Sequence, residues 1–165
     1  MTTRYVWDRD SVKFPASNFP EMGVEATTRL SYLAFDPTTD EICYLEGIAP
    51  QGLTGTLTLV VYGYMASAVT GTVGLRAAVE AVTPGDALDR DASSSFDSIN
   101  YATSATVPGT AGHEFSTTIT LTNADSLAAG DDFRIEFGRD ADGTGSTDSA
   151  TGDFKVTRIE LRDEA

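Results

Sequence analysis

Apolar and polar residues alternate with a period of two over much of the chain. This is the pattern of a strand, whose successive side chains point to opposite faces. From Thr56 to Ala66, Leu57, Leu59, Val61 and Met65 fall on one face, and Thr58, Val60, Tyr62 and Tyr64 on the other. From Phe115 to Thr122, Phe115, Ile119 and Leu121 alternate with Ser116, Thr118 and Thr120. From Asp132 to Gly138, Phe133, Ile135 and Phe137 alternate with Arg134 and Glu136. A helix would spread these apolar residues around its cylinder.

Four further segments read as strands: Arg29 to Phe35, Ile42 to Ile48, Ser98 to Val107 and Phe154 to Arg162. The last changes phase, with Phe154 and Val156 on one face and Ile159 and Leu161 on the other, so a bulge is expected near Thr157. Val73 to Val82 fits a strand face but has high helix propensity; its position after the Thr70-Gly71 turn favours strand. A short helical turn is expected over Asp86 to Ala92. Pro50-Gln51-Gly52, Pro84-Gly85-Asp86, Pro108-Gly109, Ala129-Gly130-Asp131 and Asp142-Gly143 supply turn chemistry between these segments. The expected fold is all-β: an antiparallel two-sheet sandwich, jelly-roll-like, with about eight strands.

Residues 1–27 lack sustained alternation but carry Tyr5, Trp7, Phe14-Pro15 and Phe19-Pro20. They are expected to form an extended N-terminal arm with aromatic anchors, next to a single sandwich domain over 28–165. The arm packs either on its own sandwich or on a neighbouring subunit. A chain of 165 residues buries roughly 70% of its unfolded surface, enough for a core without disulfide or metal.

The charge changes the choice of partners. There are 25 acidic residues against 11 basic ones, a net charge of -14, and only Lys13 and Lys155 are lysines. Phosphate backbones need clustered Lys and Arg, so nucleic acid is disfavoured, and an anionic membrane for the same reason. The stretch Leu57 to Val69 is too short to span a bilayer. The start, Met-Thr-Thr-Arg-Tyr, lacks the apolar core of a signal peptide, so folding in a cytoplasm is expected. Cys43, the single cysteine, reads as a buried small hydrophobe.

Candidate chemistry is sparse. His113, the single histidine, sits in a Gly-rich loop with no Gly-x-Ser-x-Gly elbow elsewhere, so no enzyme is expected. Acidic pairs for glycoside hydrolysis are plentiful, but none stands out. The segment from Asp140 to Asp153 is the most suggestive. Counted from Asp140, it places Asp142 and Gly145 at positions three and six of a calcium loop, then departs at Thr144 and Thr151. It reads either as a polar loop or as a calcium site built from Asp140, Asp142, Asp148 and Asp153. Tyr62 and Tyr64, on the less apolar face of their strand, read as covered by the fold, as an interface, or as a platform for sugar.

Four segments carry a family resemblance. They are Leu33-Ala-Phe-Asp-Pro-Thr-Thr-Asp-Glu41, Thr56 to Ala66 with its following Ser67 and Thr-Gly turn, Leu127 to Ile135 before Arg139-Asp140-Ala141-Asp142, and the Gly152-Asp153 turn before Phe154 to Arg162. Over residues 30–162 the chain resembles β-sandwich structural modules in particles of tailed bacteriophages, the head-decoration and fibre-type proteins. The resemblance implies a virion structural protein assembled in a host cytoplasm: a homotrimeric decoration subunit that binds the viral major capsid protein. Tyr5, Trp7, Phe14 and Phe19 of the arm, with Tyr62 and Tyr64, would then be anchors in subunit interfaces. The alternative is a fibre-type module that binds host glycans.

Overall fold

The protein, seen as a computed structural model, is described over residues 1–164. Its strands are β1 (Thr2–Trp7), β2 (Glu21–Val24), β3 (Ser31–Phe35), β4 (Ile42–Ile48), β5 (Leu57–Met65), β6 (Thr72–Val73), β7 (Leu75–Val82), β8 (Asn100–Tyr101), β9 (Ala105–Thr106), β10 (Phe115–Leu121), β11 (Asp132–Arg139) and β12 (Phe154–Asp163). They form an antiparallel two-sheet sandwich. The larger sheet runs β10-β5-β12-β3-β2, with β1 also on β12; the smaller runs β4-β11-β7-β8; β6 and β9 make a short ribbon. No helix among the described residues is long and apolar enough to cross a membrane.

The alternation read from sequence is the packing pattern. Leu57, Leu59, Val61 and Met65 of β5 meet Phe133, Ile135 and Phe137 of β11 in one core, all at most 7% exposed. Strand β12 is the spine of the larger sheet. It pairs with β5 along one edge, while its other edge is shared by β3 at Phe154 to Val156 and by β1 at Ile159 to Asp163. Its register shifts between Val156 and Arg158, where the phase change lies. The extra residue, Thr157, returns Phe154, Val156, Ile159 and Leu161 to the same core.

Among the described residues there are twelve strands where about eight are expected. Ser98 to Val107 splits into β8 and β9, β6 is separate from β7, and residues 1–27 supply β1 and β2. Asp86 to Ala92 forms no helix: the Ala92 and Ser93 amides both donate to the Asp89 carbonyl, which closes a single turn.

The first 27 residues close the open edge of the smaller sheet. An edge strand leaves backbone donors and acceptors unpaired. On β4 these are taken up by Trp7 Nε1, which donates to the Glu46 carbonyl (3.1 Å), and by the Tyr5 hydroxyl, which donates to the Ile48 carbonyl (2.6 Å) and accepts from its amide (3.0 Å). Lys13 exchanges backbone bonds with Tyr44. Tyr5 stacks on Trp7 (5.2 Å), and both meet Phe133 edge-on. Gly47 leaves the room for this: a Cβ there would lie 2.8 Å from the Phe133 ring and 2.9 Å from Tyr5. Trp7 is 3% exposed, so its surface is spent inside its own fold, and truncating it would cost about 3–5 kcal/mol. Asp8 ends β1 by capping the 3-10 turn Arg9–Ser11, accepting from the Asp10 and Ser11 amides while Ser11 Oγ accepts from the Asp8 amide.

Candidate functional site

The outer faces of the two sheets differ. On the smaller sheet, the segment 83–99 folds across the surface. Phe96 stacks on Tyr44 (6.1 Å), Arg134 lies over Phe96 (5.2 Å), and the buried Glu80 takes Arg134 at 2.6 Å and the Ser95 amide at 2.7 Å. On the larger sheet, the register puts Tyr62 and Tyr64 of β5 beside Arg158 and Lys155 of β12, with Glu160 and Arg162 further along. Strand β12 carries three of the chain's eleven basic side chains, so a strongly acidic protein gathers cations here.

These groups form a linked network. Lys155 Nζ sits 4.1 Å from the centre of the Tyr32 ring and pairs with Glu25, which also accepts from the Tyr64 hydroxyl (2.7 Å). The bond from Lys155, then that from Tyr64, hold the Glu25 carboxyl below the usual carboxylate range. Burial, then the Glu25 carboxylate, push the Tyr64 hydroxyl up. Burial works against the charge on Lys155, but its bonds to Glu25 and Tyr32 outweigh this and raise it. Arg158 lies 4.0 Å above the Tyr62 ring, and Arg162 donates to the Tyr62 hydroxyl at 2.7 Å. Both arginines grip Glu160, at 2.8 and 2.6 Å.

At one end of this face is a groove of about 520 Å³, bordered by Glu25, Thr27, Thr28, Tyr64, Glu114 and Lys155. It brings hydroxyls, two carboxylates, an ammonium and the rim of an aromatic ring around one space. Of the two tyrosines expected here, Tyr64 is 8% exposed and Tyr62 is half-buried beneath Arg158, so neither is a bare aromatic platform.

The β11–β12 loop, residues 140–153, is organised by Arg139, which is fully buried. All five of its donors are used: two on Asp148 (both 2.8 Å), and one each on the carbonyls of Phe35, Ala150 and, at 2.8 Å, Gly152, with Phe35 at 3.2 Å and Ala150 at 2.7 Å. Asp148, expected as a calcium ligand, is thereby spent on Arg139 and on the Gly74 amide. Asp153 points elsewhere, into a small acidic recess with Glu21, Asp36 and Glu41. Asp140 and Asp142 do converge, and the third carboxylate beside them is Asp40, from the β3–β4 turn. Asp40 Oδ1 accepts from the Ala141 and Asp142 amides (2.8 and 3.3 Å) and so docks its turn on the loop. Gly145 lets the loop run against β8: a Cβ there would sit 2.4 Å from the Tyr101 ring.

Elsewhere, Phe14 packs partly on the core and touches Phe19 (5.7 Å), which is 46% exposed at the β2 edge. His113 is exposed in its turn. Cys43 is buried, and burial raises its thiol far above its ordinary value. Sequence reading missed Asp40, Glu25, Lys155, Arg158 and Arg162. Asp40 is far in sequence from the Asp140 loop, and the cations lie on a strand whose sequence pattern is set by its apolar phase.

No protein-family model matches the chain, and no curated protein matches it in sequence. Solved structures do resemble it. A CBM35 module from Cellvibrio japonicus Abf62 superposes with a TM-score of 0.52 at 9% identity, covering 98% of this chain and 94% of that one. A carbohydrate-binding module of Cellvibrio mixtus lichenase 5A, solved with cellotriose, gives 0.45 at 11% identity, covering 99% and 100%. The K1 cleaved adhesin domain of Lys-gingipain from Porphyromonas gingivalis W83 gives 0.39 at 13%, covering 98% and 90%. At such identities the shared property is the fold: the chain is a β-sandwich, as the Abf62 module is. Nothing in these likenesses ties it to tailed-phage particles.

Proposed function

We propose that the chain is a non-catalytic carbohydrate-binding β-sandwich, and that sugar is held on the outer face of the larger sheet, in the groove beside Tyr64 and Lys155. The observation that carries this reading is the composition of that groove. Sugar rings offer hydroxyls to charged acceptors and donors. Here Glu25, Glu114 and Lys155 supply the charged partners, and Thr27 and Thr28 supply hydroxyls. The Glu25–Lys155–Tyr64 bonds fix three of the side chains before any ligand arrives, which lowers the ordering cost of binding. The sandwich shared with the Abf62 module supports the reading at the level of fold. Titration calorimetry against a panel of plant and bacterial polysaccharides tests it. At least one sugar should bind, and Lys155→Ala should weaken that binding about tenfold or more, equivalent to ~1.4 kcal/mol. A panel with no binder would sink the reading.

A second reading keeps the virion subunit. The edge strand β2 leaves Met22 and Val24 about half exposed, next to Phe19 and Leu30, which is an apolar border on an unpaired sheet edge. Capsid decoration needs such borders to be covered by the major capsid protein or by sister subunits. A trimer by light scattering would favour this reading, and a monomer the sugar module.

A further inference from the structure

Asp140, Asp142 and Asp40 each offer one carboxylate oxygen, and these oxygens all lie within 4.8 Å of one another. Acidic clusters alone say little, but Asp140 adds an independent observation. It is 1% exposed, its Oδ2 accepts the Gly145 and Ser146 amides (3.0 and 2.6 Å), and its Oδ1 is buried with no hydrogen-bond partner. A buried anionic oxygen without a donor, beside two other carboxylates, is costly unless a cation meets it. Arg76 forms ion pairs with Asp40 and with Glu136, at 3.6 Å each, so it offsets only part of the cluster's charge.

We infer that this pocket is a divalent-cation site of the calcium class, formed by Asp40, Asp140 and Asp142 and joining the β3–β4 turn to the β11–β12 loop. Oxygens on a calcium shell, at roughly 2.4 Å from the ion, lie at most about 4.8 Å apart, and the three carboxylate oxygens fall within that limit. Each ligand is already oriented by backbone donors: Asp40 by Ala141 and Asp142, Asp140 by Gly145 and Ser146, Asp142 by the Thr144 amide. The buried Arg139–Asp148 pair holds the loop from behind. Three carboxylates held by separate backbone donors suit calcium's oxygen-rich, flexible six-to-eight coordination, whereas magnesium is usually held by one or two carboxylates in a strict octahedron. The site needs no sugar, so it stands or falls independently of the proposed function.

The test is calorimetry and thermal melting of the full chain after treatment with chelator, titrated with calcium chloride. Saturable heat is expected, with Tm raised by about 5–10 °C at a hundredfold excess over Kd. Magnesium should give a smaller shift. Asp142→Asn, at an exposed side chain that can be changed without unfolding the protein, should weaken calcium at least tenfold. Asp153→Asn, in the same loop but outside the cluster, should leave it unchanged. Absence of heat together with an unmoved Tm would overturn the inference. Equal losses in Asp142→Asn and Asp153→Asn would overturn it too, because the response would then follow net charge rather than geometry.

Discussion

Asp163 and Asp140 are both carboxylates withdrawn from solvent, at 0% and 1% exposure, and each keeps one oxygen without a partner. Their surroundings are opposite. Asp163, at the end of β12, has an arginine built in: Arg4 of β1 binds Oδ2 at 2.8 Å, and the Thr54 amide adds a second donor at 2.9 Å. Asp140, at the end of β11, meets two more carboxylates. The first site carries its own cation and ties the N-terminal strand to the C-terminal one. The second has a cation of its own chain only at its margin, Arg76 at 3.6 Å from Asp40. Burial alone therefore does not mark a functional acid; the sign of the charge facing it does.

The largest effect that can be imposed on this contrast is at Arg139, whose pairing with Asp148 supports the loop bearing Asp140. Arg139→Met leaves Asp148 buried and unpaired, and removes donors from the carbonyls of Phe35, Ala150 and Gly152. The expected loss is ~3–5 kcal/mol, seen as a Tm drop on the order of 10 °C. Calcium should rescue little of it, because the loop that orients Asp140 and Asp142 is no longer held. A variant that melts like the parent would mean that the loop is positioned by Asp40 and the backbone alone.

The sequence was legible where one face of a strand is buried and the other is not. β10 and β11 could be read residue by residue, and the phase break in β12 located Thr157, because core contact imposes strict alternation. Residues 1–27 resisted the same reading. β1 and β2 lie at the sheet's margin, and Tyr5 and Trp7 of β1 serve the β4 edge through hydrogen bonds that leave no periodic trace. The calcium candidates show the limit most clearly. Asp140 and Asp142 were found because they are neighbours in sequence, and Asp148 and Asp153 were included for the same reason. Asp40 was not, because a hundred residues separate it from the loop and only the sandwich brings them together. The cations of β12 were visible as residues, but their grouping with Tyr62, Tyr64 and Glu25 depends on cross-strand register.

Next in size is Arg4→Met, which strips Asp163 of its cation. In the parent, the hydrogen bond from Arg4 lowers the Asp163 pKa to about 2 from an unfolded value near 3.8. A carboxyl held below its unfolded value contributes stability that is fully present above pH ~4 and is lost as the pH falls through ~2. The parent Tm should therefore decline between pH 4 and 2. Arg4→Met should melt lower at pH 7 and decline less steeply over that acid range. Identical slopes for the two proteins would show that the pair contributes nothing to acid stability.

The smallest expected effect is the most discriminating, because it reverses sign. In chelator, Asp140 faces like charges with an unpartnered oxygen, so Asp140→Asn removes a repulsion. The amide oxygen can still accept the Gly145 and Ser146 amides, and the amide nitrogen becomes a donor toward Asp40 and Asp142. Asp140→Asn should therefore raise the Tm by about 2 °C without calcium, the scale of one net hydrogen bond, and lose most of the rise that calcium gives the parent. Asp163→Asn gives the opposite result: it discards the charge that Arg4 requires and should lower the Tm under either condition. If both substitutions lowered the Tm in chelator, the charge on Asp140 would be stabilised by its own chain as that on Asp163 is, and the distinction between the two buried acids would disappear.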